Sequence, residues 1–159
     1  MAQEEQNVSL LRSAYAEWSD SKAANRQCWT DLMADDASLR SLTDGAPELA
    51  FTARRTSKSE IKAYLDDLLR DWEMIHAHMT EFIAEDDRVV VLGDVAWRNR
   101  ETGKIAETRK VDVWRFRDGK AIGFEEFFDT AGAMAAATPD PADAAGHPPG
   151  SGPTVQARE

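Results

Sequence analysis

The order of elements predicts an α+β fold, with three helices packed on one face of a mostly antiparallel sheet. Two observations carry this. Apolar residues before about position 74 recur at helical spacing, whereas those after it recur with a period near two. The later runs are separated by Glu85-Asp86-Asp87, Glu101-Thr102-Gly103 and Asp118-Gly119, all of them turn chemistry. No segment repeats.

Val8, Leu11, Tyr15 and Trp18 fall on one face of a first helix. A short second helix is expected over 24–33, where Trp29, Leu32 and Met33 are apolar. The stretch from Asp36 to Phe51 alternates poorly and contains the turn cluster Asp44-Gly45-Ala46-Pro47. It reads as a short strand, a loop and a second short strand. Ser57-Lys58-Ser59-Glu60 has the spacing of a capping box, and Ile61, Leu65, Leu68 and Trp72 follow on one helical face. Four strands are then expected, at 74–85, 88–99, 104–116 and 120–129.

The chain of 159 residues fits one domain, and 42% apolar content excludes wholesale disorder. No apolar run approaches the ~20 residues of a membrane span, and MAQEEQNVS is too acidic and polar for a secretory leader. The lone Cys28 excludes an internal disulfide framework and a cysteine-built metal cluster. With 19 basic and 29 acidic residues the net charge is -10, which repels nucleic-acid backbones. These features predict a soluble cytoplasmic protein with no nucleic-acid or membrane partner. Residues 138–159 hold five of the six prolines and no large apolar residue but Val155. They are expected to form a disordered tail, His147 included, after an ordered domain over 1–137.

Three segments carry a resemblance. They are Val111-Asp112-Val113-Trp114-Arg115-Phe116, the hairpin continuation through Asp118-Gly119-Lys120 to Phe124-Glu125-Glu126-Phe127-Phe128-Asp129, and Met33-Ala34-Asp35-Asp36-Ala37. Together they resemble the nuclear transport factor 2-like superfamily, and more narrowly the SnoaL-like polyketide cyclases and the ketosteroid isomerases. The resemblance implies a cone-shaped α+β barrel around an apolar pocket for a small molecule, and a homodimer through the outer sheet face. That face is expected to expose Val89, Val91 and Val95. The fold hosts many chemistries and plain binding modules, so the site has to decide the function.

Carried over residue by residue, Asp112 matches an isomerase carboxyl that stays protonated and donates to an oxyanion, a case the ketosteroid isomerases exemplify. Glu126 matches the acid/base position of the cyclases. The isomerase proton-abstracting aspartate falls near Ser41, and its oxyanion tyrosine aligns with Ala14, one position from Tyr15. Asp94 resembles an epoxide-hydrolase position, but Leu92 stands where that site has arginine.

Whether Asp112 and Glu126 share a face depends on the last turn. A two-residue Asp118-Gly119 turn sets Asp112 opposite Glu125 and sends Glu126 to the other face. A three-residue loop with a Gly119 bulge sets Lys110 opposite Glu126 and brings both acids together. Opposite charges in register favour the second arrangement by roughly 0.2–1 kcal/mol. In that register Trp114, Phe116, Phe124 and Phe128 surround the acids, whose pKa values should rise. The plain alternative makes Glu126 only a partner of Lys110, and Asp112 only a partner of Arg109 or of a backbone amide.

His76 and His78 sit two apart on one strand and therefore share a face. Turned inward, His78 is a natural general base and His76 a substrate contact; turned outward, both are surface or dimer residues. Tyr15 can place its hydroxyl on a pocket carboxyl or serve in core packing alone. Trp18, Trp97 and Trp114 are candidates to line the pocket with Phe124 and Phe128. A metal is not expected, since no His-Glu-x-x-His spacing occurs, and no cofactor is expected. The reading is an acid/base site with Asp112, Glu126, His78 and Tyr15 as catalytic residues. Its alternative is a non-catalytic ligand-binding or dimerisation module.

Overall fold

The computed structural model describes residues 2–144. Three helices lead: α1 (Gln3–Asp20), α2 (Gln27–Leu32) and, after strand β1 (Met33–Ser41) and a 3₁₀ helix (Pro47–Thr52), α3 (Lys58–Asp71). Strands β2 (Trp72–Glu85), β3 (Arg88–Asn99), β4 (Ile105–Arg117) and β5 (Lys120–Phe128) form an antiparallel meander. Two helices end the described chain, α4 (Thr130–Ala137) and the single turn α5 (Pro141–Ala144). The sheet order is β1-β5-β4-β3-β2, with β1 parallel to β5. Leading and trailing sequence thus meet at one side of a curved sheet, and α1 and α3 cover its inner face.

Local chemistry sets these elements. In α1 the spacing of Leu11, Tyr15 and Trp18 buries one stripe. The α3 cap forms as expected on one side, where the Glu60 amide donates to Ser57 Oγ at 3.1 Å. The reciprocal arm differs: the Glu60 carboxylate accepts from the Thr56 amide at 2.6 Å and the Thr56 hydroxyl at 2.9 Å. Such caps are worth about 1 kcal/mol.

The sequence reading is corrected at five places. Helix α2 is shorter than 24–33, beginning at Gln27. The second strand expected before Phe51 is a 3₁₀ helix. Pro47 opens it, and the Thr52 hydroxyl donates to the Leu49 carbonyl (2.6 Å) and accepts from the Gly45 amide (2.8 Å). Local polar bonds therefore occupy groups a ladder would use, leaving a single bridge from Leu39 to Arg55. Trp72 is buried, but as the first residue of β2 with extended backbone, not on the α3 face. Val89, Val91 and Val95 lie in the core rather than on the outer face, whose exposed apolar residues include Ile105 and Phe127. Helix α4 was not anticipated: its run of alanines carries no amphipathic stripe, and its start is set by Asp129, which accepts from the Gly132 amide.

Lys104 holds the C-terminal end of α4, donating to the carbonyls of Ala135 and Thr138 and to Asp140 at 2.7–3.2 Å. The remainder of the expected tail, 145–159 with His147, lies outside the described residues. No helix among the described residues is long and apolar enough to cross a membrane.

Candidate active site

The last hairpin adopts neither expected register in full. Asp118 and Gly119 both have positive φ, +51° and +76°, which makes a two-residue type I′ turn with Arg117 opposite Lys120. A bulge at Ile122 then adds one residue to β5, so that Arg115 faces Gly123 and Asp112 faces Glu126. Because side chains alternate, this single residue brings Glu126 to the face of Asp112. Lys110 pairs with Phe128 instead of Glu126, two positions along the same face.

Two carboxyls directly opposite repel unless something stands between them. Lys110 does. Its Nζ lies 3.0 Å from Glu126 Oε2 and 3.2 Å from Asp112 Oδ1. Asp112 and Glu126 are almost wholly buried, at 1% and 2% exposure, while the Lys110 side chain keeps 19%. Each acid also receives a phenol. The Tyr15 hydroxyl donates to Asp112 Oδ2 and in turn accepts from Trp114 Nε1 at 2.9 Å. The Tyr64 hydroxyl reaches both oxygens of Glu126, at 3.1 and 3.2 Å. Asp112 Oδ1 receives no aligned hydrogen bond, so one buried acceptor remains open beside the cavity.

Burial raises the Asp112 pKa above the ordinary carboxylate range; Lys110 opposes this, Glu126 reinforces it, and the bond from Tyr15 opposes it. Burial by itself favours the neutral amine of Lys110, but the two carboxylates outweigh it and hold the ammonium charged above its usual pKa. Burial and the neighbouring acids push both phenols well above their usual pKa, so they act as neutral donors.

The acids border two adjoining chambers of about 60 Å³ each. Asp112 and Tyr15 lie on the first, with Trp18, Trp29, Trp114 and Phe124; Glu126 and Thr108 lie on the second, with Phe51, Trp72 and Phe128. Tyr64, Leu68, Trp97 and Lys110 line both. A chamber of this size has room for about two waters. An aromatic ligand therefore has to displace side chains, and Trp97 and Phe128 are the half-buried ones.

Of the residues expected at the site, Asp112, Glu126, Tyr15, Trp18, Trp97, Trp114, Phe124 and Phe128 are brought together. His76 and His78 are not. Bulges in β2 at Ile75 and Thr80 leave Ala77 and Met79 facing inward. The imidazoles stack on each other with centroids 4.7 Å apart, and His76 Nε2 lies 3.9 Å from the exposed Glu107. Arg109 pairs with Asp94 at 3.3 Å, so it does not serve Asp112. The sequence marks Lys110 only as a cross-strand charge and gives Tyr64 and Trp29 no direct sign of a site role. Tyr64 falls one turn after Glu60 on the α3 stripe with Ile61, Leu65 and Leu68, and that spacing was the available signal. Ser41, where the resemblance puts an isomerase base, is the parallel-register neighbour of Glu126, so the carboxylate stands one strand over. Cys28 is buried, and its thiol is pushed up to about 11 by that burial. Among the described residues no group of three or more side chains is arranged for a metal ion.

Helices packed on a curved five-stranded sheet make this an α+β domain of the nuclear transport factor 2-like class. The chain belongs to the SnoaL-like domain family, which matches residues 11–124. Solved structures agree on the fold. A nuclear transport factor 2-like protein of unknown function from Burkholderia pseudomallei superposes with a TM-score of 0.72 at 23% identity, covering 87% of this chain and 99% of its own. A Jannaschia protein assigned to the SnoaL-like polyketide cyclases gives 0.71 at 17% identity, covering 89% and 98%. TerC, crystallised with polyporic acid, gives 0.67 at 24% identity, covering 83% and 98%. No curated protein matches the chain.

Proposed function

We propose that the protein is a cofactor-independent enzyme that moves protons on a small, mostly apolar substrate of aromatic or polycyclic type. The reaction class is isomerisation, dehydration, aldol-type cyclisation or retro-aldol cleavage next to a carbonyl or hydroxyl. The observation that carries this reading is the Asp112–Lys110–Glu126 cluster, buried under two phenols and bordering a cavity. Glu126 shuttles the proton, Asp112 orients it or holds the oxyanion, and Tyr15 assists. The likeness to TerC, which was crystallised with polyporic acid, and to chains assigned to polyketide cyclases and isomerases supports the choice of substrate class. The reading places the enzyme in the cytoplasm as a homodimer paired through the outer sheet face.

A ligand-induced thermal-shift screen with aromatic and polycyclic carbonyl compounds identifies the substrate class. With the substrate in hand, Asp112→Asn and Glu126→Gln should each lower turnover by about 10²–10⁴-fold while the protein stays folded. Wild-type turnover in both variants removes the pair from the mechanism.

One observation favours a second reading, a non-catalytic binding or dimerisation module. The chambers are narrow and crowded by Trp18, Trp29, Trp97 and Trp114. In that case carbonyl compounds either leave the melting temperature unchanged or raise it without being turned over.

A further inference from the structure

We infer that Lys110 is the oxyanion-binding residue of this site and that it takes over, on the substrate oxygen, the negative charge Glu126 gives up. The inference rests on the acid/base reading above and moves the oxyanion role within it to the lysine, leaving Asp112 to orient the proton.

An ammonium has three N–H donors. Those of Lys110 face Glu126 Oε2 at 3.0 Å and both oxygens of Asp112, Oδ1 at 3.2 Å and Oδ2 at 3.4 Å. One donor turned to Glu126 and one shared by the paired oxygens of Asp112 leave the third for the cavity, and Lys110 borders both chambers. Asp112, by contrast, can offer at most a neutral O–H from Oδ1, since Tyr15 already donates to Oδ2. A charged donor already in place makes a stronger bond than a neutral one and needs no rearrangement when the charge appears.

The step balances in atoms and charge. The C–H bond beside the substrate carbonyl breaks, and its proton passes to a Glu126 carboxylate oxygen. Its electron pair forms the carbon–carbon double bond, while the carbonyl π pair moves onto oxygen. One negative charge leaves Glu126 and one appears on the substrate, with no net charge created in the hollow. Lys110 touches the group that loses the charge and lines the space where the charge arrives. Keeping one cation in contact with both ends limits the penalty of moving charge through a water-poor site.

The probe for this role is 4-nitrophenol, a single-ring phenol whose anion is coloured, titrated into wild type and variants at one pH below its own pKa. Wild type should hold a larger ionised fraction than free solution, and Lys110→Arg should keep that excess. Lys110→Met should lower the ionised-to-neutral ratio by about tenfold, one pKa unit. Glu126→Gln, which leaves the fold its cation, should raise the ratio because the ammonium loses a competing partner. If Lys110→Met does not fold, the Arg and Gln variants decide. An unchanged ratio in Lys110→Met, or a lowered one in Glu126→Gln, overturns the assignment and leaves the acid/base pocket standing. Failure of wild type to bind the probe overturns the pocket reading and this assignment with it.

Discussion

Asp112 is pulled in two directions. Burial and the facing Glu126 favour its proton, whereas Lys110 and the bond from Tyr15 favour its charge, and burial wins. An acid whose folded pKa exceeds its unfolded value binds more protons folded than unfolded. Its contribution is therefore most favourable at low pH and declines as pH rises from the unfolded carboxyl value towards the folded one. Asp112→Asn removes that decline. Denaturant titrations across pH 4–8 should show wild type losing stability relative to Asp112→Asn as pH rises; parallel curves would mean that burial does not govern this carboxyl.

Tyr15 is the second informative residue, since it joins Trp114 Nε1 to Asp112. Tyr15→Phe leaves a buried indole N–H without a partner and Asp112 Oδ2 with only the 3.4 Å contact from Lys110. The expected loss is about 1–3 kcal/mol, read by chemical denaturation. A neutral effect would show that water replaces the hydroxyl.

At the scale of elements, the site depends on irregularities in strands. Without the Ile122 bulge, a type I′ turn would send Glu126 to the outer face; with it, the two acids meet. The turn was legible in Asp118-Gly119, as was the capping of α3. The bulge was not, because no residue type at position 122 marks an extra residue, and only the partner strand reveals the count. The β2 bulges hid the histidines in the same way: alternation showed that His76 and His78 share a face, but not which one. The ordered strands themselves were plain from their period, and β3 falls at 88–99 as read. Helix α4 escaped because alanine spacing has no polar contrast.

Gly93 tests the account of β2. A Cβ there would come within 2.1 Å of the His78 carbonyl oxygen and 2.6 Å of the Met79 Cα. Backbone cannot yield as a side-chain tip does, so Gly93→Ala should cost about 1–3 kcal/mol or more through overpacking. Thermal melts decide this, and a melting temperature equal to wild type would show that β2 approaches less closely.

Across the whole molecule, the sheet has one greasy face and one charged face. The inner face carries the hollow, while the outer carries pairs such as Arg109–Asp94 together with Phe127, exposed to 36%. Surface pairs of that kind contribute little to stability, so they are free to serve recognition. The proposed homodimer buries this face, and sedimentation equilibrium should return twice the chain mass for wild type and the monomer mass for Phe127→Asp. A monomeric wild type would remove the dimer without touching the pocket.

The central claim is that Asp112, sealed beside Glu126 with one lysine between them, keeps its proton where a solvated aspartate has lost it. Infrared difference spectra of wild type against Asp112→Asn, followed through pH, read that proton directly from the carbonyl stretch of the acid. The account predicts a protonated carboxyl persisting clearly above pH ~4, the ordinary range for aspartate. A band that vanishes at about that pH would contradict it.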